Sequence, residues 1–342
     1  MMGTYSSDRM SRSCQPDNSM AQGNVAAMTG RQRVRAALDG HGRPDRPARG
    51  EFRLADGLIR RLLTMESMPP STEQTAAGER HQAAMLALGS DMIAVHPGVG
   101  ECLPGSHGPA WLEEARRLAG SDLFVWAVID GPFQGLTVDL GWEEALRVMA
   151  DSRRAADLLA VQAERAGQQA AVALAAGVDG VVLGEDVAHA SGLMLSPRSL
   201  ERDLVPLWTR LAGLVKAVRR GTALADVGPL RGYAVFHSDG TIGSLLAMLE
   251  AAGFDGVHSL EPEAGMDAAR LTEEWRGRLA FLGGLSLPLV TSGKAKTIED
   301  AAQRLSRVAA EGGLVIGTTV GVVPDEVPIE NLLRAYRAAE RA

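Results

Sequence analysis

The chain contains little cysteine, with only Cys14 and Cys102 among 342 residues. Two cysteines cannot build a disulfide framework or a cysteine-rich zinc module. Aromatic residues make up only 4% of the chain. No apolar run approaches the ~18–20 residues that span a bilayer, and residues 1–29 lack the apolar core of a signal peptide. The sequence therefore predicts a cytoplasmic protein that does not enter a membrane.

Positive charge is also scarce, because 35 Lys and Arg face 42 Asp and Glu and leave a net charge of −7. This balance excludes a strongly basic nucleic-acid binder, since little is present to neutralise a row of phosphates. The sequence also lacks the G-x-S-x-G, C-x-x-C and H-E-x-x-H motifs, and no G-x-G-x-x-G follows a strand. Several common hydrolase, redox and dinucleotide-binding sites are thereby excluded.

From residue 30 onward, predicted strands alternate with helices, whereas residues 1–29 show no periodicity and predict a disordered tail. The strands are short and apolar on both faces, as strands buried on both sides are. They are Met92–Val95, Phe124–Ile129, Gly180–Leu183, Ala234–Phe236, Gly256–Ser259, Ala280–Leu282 and Leu314–Ile316. With a weaker strand at Glu51–Leu54, eight strand–helix units favour a closed (β/α)8 TIM barrel in a single domain, residues 30–342. A count of seven units is the alternative.

One local signal recurs where a helix gives way to a strand. The sequence AAGVDG at 175–180 is repeated as AAGFDG at 251–256, and LGSD at 88–91 is a weaker copy. A glycine in the left-handed conformation ends the helix, and the aspartate opens the strand. Ser196 before Pro197 predicts a helix start, and Thr297 with Asp300 resembles a capping box.

Reactive groups of such a barrel lie where its strands run into the following loops. In chain order these positions hold His96, Asp130, Glu185 and Asp186, His237 and Asp239, Glu261 and Glu263, Gly283, Gly284 and Ser286, and Thr318 and Thr319. Carboxyl groups that converge in a low-dielectric opening push each other's pKa values apart, which yields a proton donor beside an anionic base. Histidine is the side-chain type whose unperturbed pKa lies nearest neutrality, so His237 is the natural proton shuttle. Helix capping is the alternative role for each carboxylate.

The side chains at these strand ends are also candidates for binding a metal ion. His237 and Asp239, with Glu185, Glu261 or His258 nearby, are candidate ligands for a divalent ion such as zinc. The other histidines are interpreted as surface residues, and Cys102 as an ordinary free thiol. Those histidines are His41, His81, His107 and His189.

Several segments together resemble the uroporphyrinogen decarboxylase superfamily. They are LGEDV…GLMLSPRSLERDLVPLW (183–208), VFHSDGTI (235–242), GFDGVHSLEPEAGMD (253–267), FLGGLS (281–286) and VPIEN (327–331). Their order and spacing match over roughly residues 30–340. The resemblance independently implies the (β/α)8 barrel, and it implies either decarboxylation of uroporphyrinogen or corrinoid-linked methyl transfer.

The chain departs from both branches of that superfamily. The stretch RPDRPARGEFRL (43–54) lacks the RQAGRY-type segment that grips propionates in the decarboxylases. The His-x-Cys of the zinc-dependent thiol methyltransferases reads His237-x-Asp239 here, and TTVGVVPD (318–325) has no cysteine. The HSDG form resembles branches that demethylate small methoxylated substrates or that are uncharacterised. In those branches a separate corrinoid protein receives the methyl group.

The leading hypothesis is therefore methyl transfer from a small, methoxylated substrate to a corrinoid partner protein, without a covalently bound cofactor. We expect catalysis by His237, Asp239, Glu185 and Asp130. Substrate contacts are expected from Asp186, Glu261, Glu263, Gly284, Ser286 and Arg53. A homodimer is an open alternative to a monomer.

Two other hypotheses stay open. In a decarboxylase, Asp130 or Asp239 would protonate the pyrrole. An acidic opening would repel an octacarboxylate unless arginines dominate, and the candidates are Arg46, Arg53, Arg198 and Arg231. The third hypothesis is a barrel that binds a small ligand without turnover.

Overall fold

The computed structural model describes residues 27–40, 44–66, 77–97, 110–217, 219–220 and 230–340. Cys14, Cys102, His41, His107 and residues 1–26 of the predicted tail lie outside the described residues. Within those ranges, no helix combines the length and apolar character that crossing a bilayer requires.

Helices and strands alternate along the chain as the sequence predicts. The helices are α1 (Gly30–Asp39), α2 (Asp56–Met65), α3 (Ala77–Leu88), α4 (Ala110–Ala119), α5 (Pro132–Leu140), α6 (Trp142–Ala150), α7 (Ser152–Ala176), α8 (Pro197–Ser199), α9 (Val205–Ala217), α10 (Leu246–Ala252), α11 (Ala268–Trp275), α12 (Leu287–Ser292), α13 (Ala295–Ala309) and α14 (Ile329–Glu340). A π-helical turn spans Leu200–Leu204, and 3-10 turns span Gly243–Leu245 and Pro262–Ala264. The strands are β1 (Arg53–Leu54), β2 (Met92–Val95), β3 (Phe124–Asp130), β4 (Gly180–Gly184), β5 (Ala188–His189), β6 (Gly192–Leu193), β7 (Arg219–Arg220), β8 (Leu230–Arg231), β9 (Tyr233–His237), β10 (Gly256–Ser259), β11 (Ala280–Leu285), β12 (Leu314–Thr318) and β13 (Val322–Val323).

In the described part of the chain, seven strands form one parallel sheet in the order β12-β11-β10-β9-β4-β3-β2. The segment 48–52 lies between its two edges. The Gly50 amide donates to the carbonyl of Ile316 on β12 at 2.8 Å, and the Ala94 amide on β2 donates to the carbonyl of Phe52 at 3.0 Å. The predicted barrel is thus confirmed. Its eighth strand is an extended segment that continues into β1, which pairs in parallel with β13.

Side chains alternate between the barrel interior and the surrounding helices, with the period of two that strands impose. Met92 and Ala94 of β2 belong to the interior cluster, whereas Ile93 and Val95 belong to the outer one. Helix α1 closes the amino-terminal end of the barrel, because its Val34 is part of the interior cluster. The other end, where the strands finish, is called the mouth below.

The repeated Gly-x-Asp signal marks three buried aspartates at the closed end, called the floor aspartates: Asp91, Asp179 and Asp255. Each accepts a backbone N–H, from Arg49 at 3.0 Å, Val125 at 2.9 Å and Ala234 at 2.9 Å respectively. Among the described residues, each also pairs with two cations. They are Arg33 and Arg46 for Asp91, Arg31 and Arg35 for Asp179, and Arg231 and Lys216 for Asp255. The signal therefore marks where buried ion pairs fasten helix α1 and adjacent strands to the floor.

A buried carboxyl group lies where the ring closes. Glu51 accepts hydrogen bonds from the Thr318 hydroxyl at 2.6 Å and the Tyr336 hydroxyl at 3.0 Å. The amide of Thr318 donates to the same carboxyl group. Burial raises the pKa of Glu51 from 4.5 to about 7 despite these donors. The group thus links the closing segment to β12 and α14, and ionising it is costly.

We expect this residue to make the free energy of unfolding depend on pH. Because the pKa is 4.5 in the unfolded chain and about 7 in the fold, the folded state holds an extra proton between those values. The stabilisation that Glu51 contributes is fully present below pH 4.5, decreases as the pH rises, and is lost above about pH 7. The free energy of unfolding should change by about 3 kcal/mol over this range.

Glu51→Gln should flatten this dependence, since glutamine keeps a hydrogen-bonding group but does not ionise. Urea unfolding of both proteins at several pH values between 4.5 and 8 measures it. If the free energy of unfolding changed with pH equally steeply in the two proteins, the expectation would be contradicted.

Candidate active site at the barrel mouth

Three titratable side chains converge at the mouth, at the ends of β4 and β9. His237 Nε2 lies 3.7 Å from Asp186 Oδ1 and 3.9 Å from Asp239 Oδ1. The three ligand atoms all lie within 4.8 Å of one another. We call Asp186, His237 and Asp239 the mouth triad. Imidazole nitrogen and carboxylate oxygens bind divalent transition metals such as zinc, so the donor set suits such an ion.

A second histidine determines how His237 presents its ring. The Nδ1 atoms of His237 and His258 lie 2.8 Å apart. His258 is buried, and burial lowers its pKa well below the usual range, so its ring is neutral. That ring also hydrogen-bonds to the backbone of Thr318 in a way that favours protonation, which means that it donates to the carbonyl.

A neutral imidazole has one donor and one acceptor nitrogen. Because His258 donates to Thr318, its Nδ1 accepts, and His237 must donate from its own Nδ1. In a neutral His237 ring the lone pair then lies on Nε2, the atom that faces the two carboxylates of the triad. A histidine that binds a metal through one nitrogen and donates from the other is the usual arrangement, so the residues present fit a metal ion.

Several carboxyl groups at the mouth, one of them in the triad, hold protons more tightly than in water. Burial, followed by the charge of Asp186, raises the pKa of Asp130. Burial also raises the pKa of Asp239 and of Glu261, whose Oε2 accepts from the amide of Gly240 at 2.9 Å. The mouth thus combines a metal-binding set with neighbouring groups that retain a proton.

The backbone is strained beside Glu261. Leu260 has φ = 69°, and among the described residues no other side-chain-bearing residue has a positive φ. Such a conformation costs on the order of 1–3 kcal/mol for a residue other than glycine. It turns the chain out of β10 at the point where Glu261 reaches the amide of Gly240. Strain is therefore concentrated at the mouth.

Glu185 does not join the triad, although the sequence analysis placed it among the catalytic and metal-binding residues. Its Oε1 accepts from Trp208 Nε1 at 2.7 Å, and its Oε2 accepts from the Gln134 amide at 2.8 Å. It is fully buried at the start of α5, and burial raises its pKa to about 8. The adjacent carboxylate, Asp186, occupies the place expected for Glu185 beside His237.

The remaining predicted substrate residues are spread around the mouth and the helix layer. A Cβ on Gly284 would approach Ala268 Cβ to 2.8 Å, so this position faces helix α11. Ser286 caps α12 by accepting from the Leu289 amide at 3.2 Å. Glu263 is exposed in the turn after Glu261. Their roles in binding stay predictions.

The structure gives one buried histidine a more specific place than the sequence analysis did and corrects the predicted place of another. His258 was named only as a neighbour of a metal site, yet it lies beside His237 in register on β10. His81 was interpreted as a surface residue and is only 5% exposed. The signal was present, because Ala84, Met85 and Leu88 continue the buried face of α3 at helical spacing from His81.

The four arginines considered for a polycarboxylate substrate do not gather at the mouth. Arg46 and Arg231 bind floor aspartates at the opposite end. Arg198 is exposed on α8, and Arg53 is half-buried on β1. These four arginines therefore form no cluster at the mouth that would neutralise an octacarboxylate.

Comparison with solved structures finds the same architecture elsewhere. A methyltransferase from Methanosarcina mazei superposes with a TM-score of 0.65 at 20% sequence identity, covering 91% of this chain and 98% of the other. A putative vitamin-B12-independent methionine synthase from Listeria monocytogenes gives a TM-score of 0.47 at 15% identity, covering 87% and 97%. No family model and no curated protein matches the sequence. The chain thus has the fold of the Methanosarcina mazei methyltransferase.

Proposed function

We propose that the protein is a methyltransferase that moves a methyl group from a small methoxylated substrate to the corrinoid of a separate protein. The observation that carries the proposal is the mouth triad, which lies at the end of the barrel where enzymes of this architecture react. The fold shared with a methyltransferase supports it. The dispersed arginines weigh against a tetrapyrrole substrate with many carboxylates.

A methyl ether is a poor electrophile because its leaving group is an unstable oxyanion. Asp186, His237 and Asp239 would hold a divalent ion, which when bound supplies Lewis acidity to the ether oxygen. Asp130 is the proton donor in this proposal, since its burial keeps the carboxyl group protonated to higher pH. The C–O bond breaks with its electron pair on oxygen, the proton of Asp130 passes to that oxygen, and the methyl carbon bonds to the acceptor.

The test is formation of methylcobalamin from reduced cobalamin, followed by absorbance, with zinc-loaded protein and a panel of methoxylated compounds. Asp130→Asn should lower the rate by about 10²–10⁴-fold, as loss of a general acid does. Asp300→Asn is the matched control, because Asp300 lies on the surface of α13 and pairs with Lys296.

Absence of methylcobalamin across the panel, with a competent corrinoid protein present, would refute the proposal. Release of CO₂ from uroporphyrinogen would instead support the decarboxylase alternative.

A further inference from the structure

Large apolar side chains are exposed on one side of the helix layer. Eight large hydrophobic residues of the described part of the chain are exposed, and six of them belong to α5, α6 and α7. Four of these six lie within nine consecutive residues and define what we call the α5–α6 face: Val138, Leu140, Trp142 and Leu146. Single apolar residues are common on protein surfaces, whereas a cluster of them marks an interaction site.

The apolar side of helix α6 is wider than the part that the fold covers. Ala145 and Val148 are buried, while Trp142 and Leu146, one turn apart, continue the apolar side and are 44% and 37% exposed. The apolar side of a surface helix normally packs against other elements of the fold. The ring of Trp142 packs edge-on against Phe133 at 6.0 Å. A ring that is already held in place loses little conformational entropy when a partner binds.

The α5–α6 face stands beside the mouth, beyond the ends of the strands. Helix α7 has 25 residues and ends just before β4 begins, and β4 has five residues. At about 1.5 Å per helical residue and about 3.3 Å per strand residue, the helix is about 37 Å long and the strand about 17 Å. The first turns of α7 therefore extend past the strand ends. The ion pairs Asp139–Arg165 and Glu144–Arg154 join α5 and α6 to this part of α7.

The charges around the α5–α6 face balance each other. Three ion pairs surround it: Asp139–Arg165, Glu143–Arg147 and Glu144–Arg154. The whole chain carries a net charge of −7, so two copies repel each other over most of their surface, whereas these pairs contribute no net charge. A strongly charged partner gains little from such a surface. A two-fold contact brings the same surface of both copies together, and a surface that offers both signs in equal number is complementary to itself.

We propose that two copies of this chain associate through the α5–α6 face about a two-fold axis. Nineteen residues between Val138 and Arg165 are exposed, close to the ~20–30 residues that each partner contributes to a stable interface of standard size. Tryptophan and arginine are both present on or around the face, and they are the residue types enriched where interfaces gain most binding energy. The dimer goes beyond the proposed function and does not depend on it.

Sedimentation velocity of the full chain over a range of concentrations tests the dimer. We expect Leu146→Glu to weaken association by at least about 100-fold, because the two-fold axis places the new carboxylate in the interface twice. Val161→Glu is a second variant, since Val161 is 56% exposed on α7 one turn before Arg165, and it should weaken association by at least about 10-fold. Leu86→Glu is the matched control, because Leu86 is 54% exposed on α3, and it should leave association unchanged.

Hydrogen exchange of the wild-type protein locates the contact without any substitution. The amides of residues 138–150 should become more protected as the concentration rises. Circular dichroism establishes that each variant is folded. A wild-type protein that stays monomeric at every concentration, a dimer that both variants leave intact, or equal weakening by Leu86→Glu would overturn the proposal. Protection of residues 138–150 that requires an added corrinoid protein would also overturn it and would assign the face to that partner.

Discussion

His237→Ala should weaken the binding of Zn²⁺ by at least about 100-fold. The reason is that His237 supplies the single nitrogen of the mouth triad and places it within 4 Å of both carboxylates. Loss of a residue that merely supports a metal ligand already costs about 10–100-fold in affinity. Competition with a zinc chelator measures the effect. His189→Ala is the matched control, since His189 is an exposed histidine in the neighbouring β5–β6 hairpin.

A substitution of His258 tests the same zinc site in a second way. His258→Phe should lower zinc affinity by about 10–100-fold, because the ring of His237 would lose the acceptor that keeps its lone pair on Nε2. Phenylalanine keeps a ring in contact with Phe52, which packs edge-on at 4.7 Å. Wild-type affinity in this variant would refute the tautomer assignment, and wild-type affinity in His237→Ala would show that zinc binds elsewhere.

Asp91→Ala should destabilise the protein by about 3–5 kcal/mol, the usual cost of removing one partner of a buried ion pair. Asp91 is 1% exposed and accepts from Arg46 Nη1 and Nη2, each at 2.7 Å, as well as from Arg33. The substitution leaves two guanidinium groups without their shared anion at the closed end of the barrel.

Urea unfolding at pH 7 measures this loss, with Glu274→Ala as the control. Glu274 pairs with Arg270 one helical turn away, and both side chains are about half exposed, so its removal should cost less than about 1 kcal/mol. If the two substitutions cost the same, the floor aspartates do not hold the barrel as described.

Strand positions were readable from the sequence because burial on both faces leaves short apolar runs between polar ends. The predicted Met92–Val95 and Gly256–Ser259 coincide with β2 and β10. The eighth strand was less distinct, since only two of its residues pair as a regular strand. The capping box at Thr297 was wrong: α13 already begins at Ala295, so Thr297 lies inside the helix.

The sequence predicted which strand ends carry the site, but it did not predict how their side chains are arranged. Glu185 and Asp186 are consecutive, and the sequence does not fix which one faces His237, because the strand ends at Gly184. In the structure the first caps α5 and the second faces the mouth. His258 gained its role only from the register of β9 and β10, which pairs it with His237. The partners of Glu51, Thr318 and Tyr336, are 267 and 285 residues away along the chain.

The closure of one end by helix α1 limits the shape of molecules that can react here. Val34, Ala37 and Leu38 fill the interior beneath Phe124 and Val315, so the described residues leave no channel along the barrel axis. A long molecule cannot be threaded through, and whatever does not fit must stay outside in solvent. Only a group at the tip of such a molecule can reach the bottom of the opening.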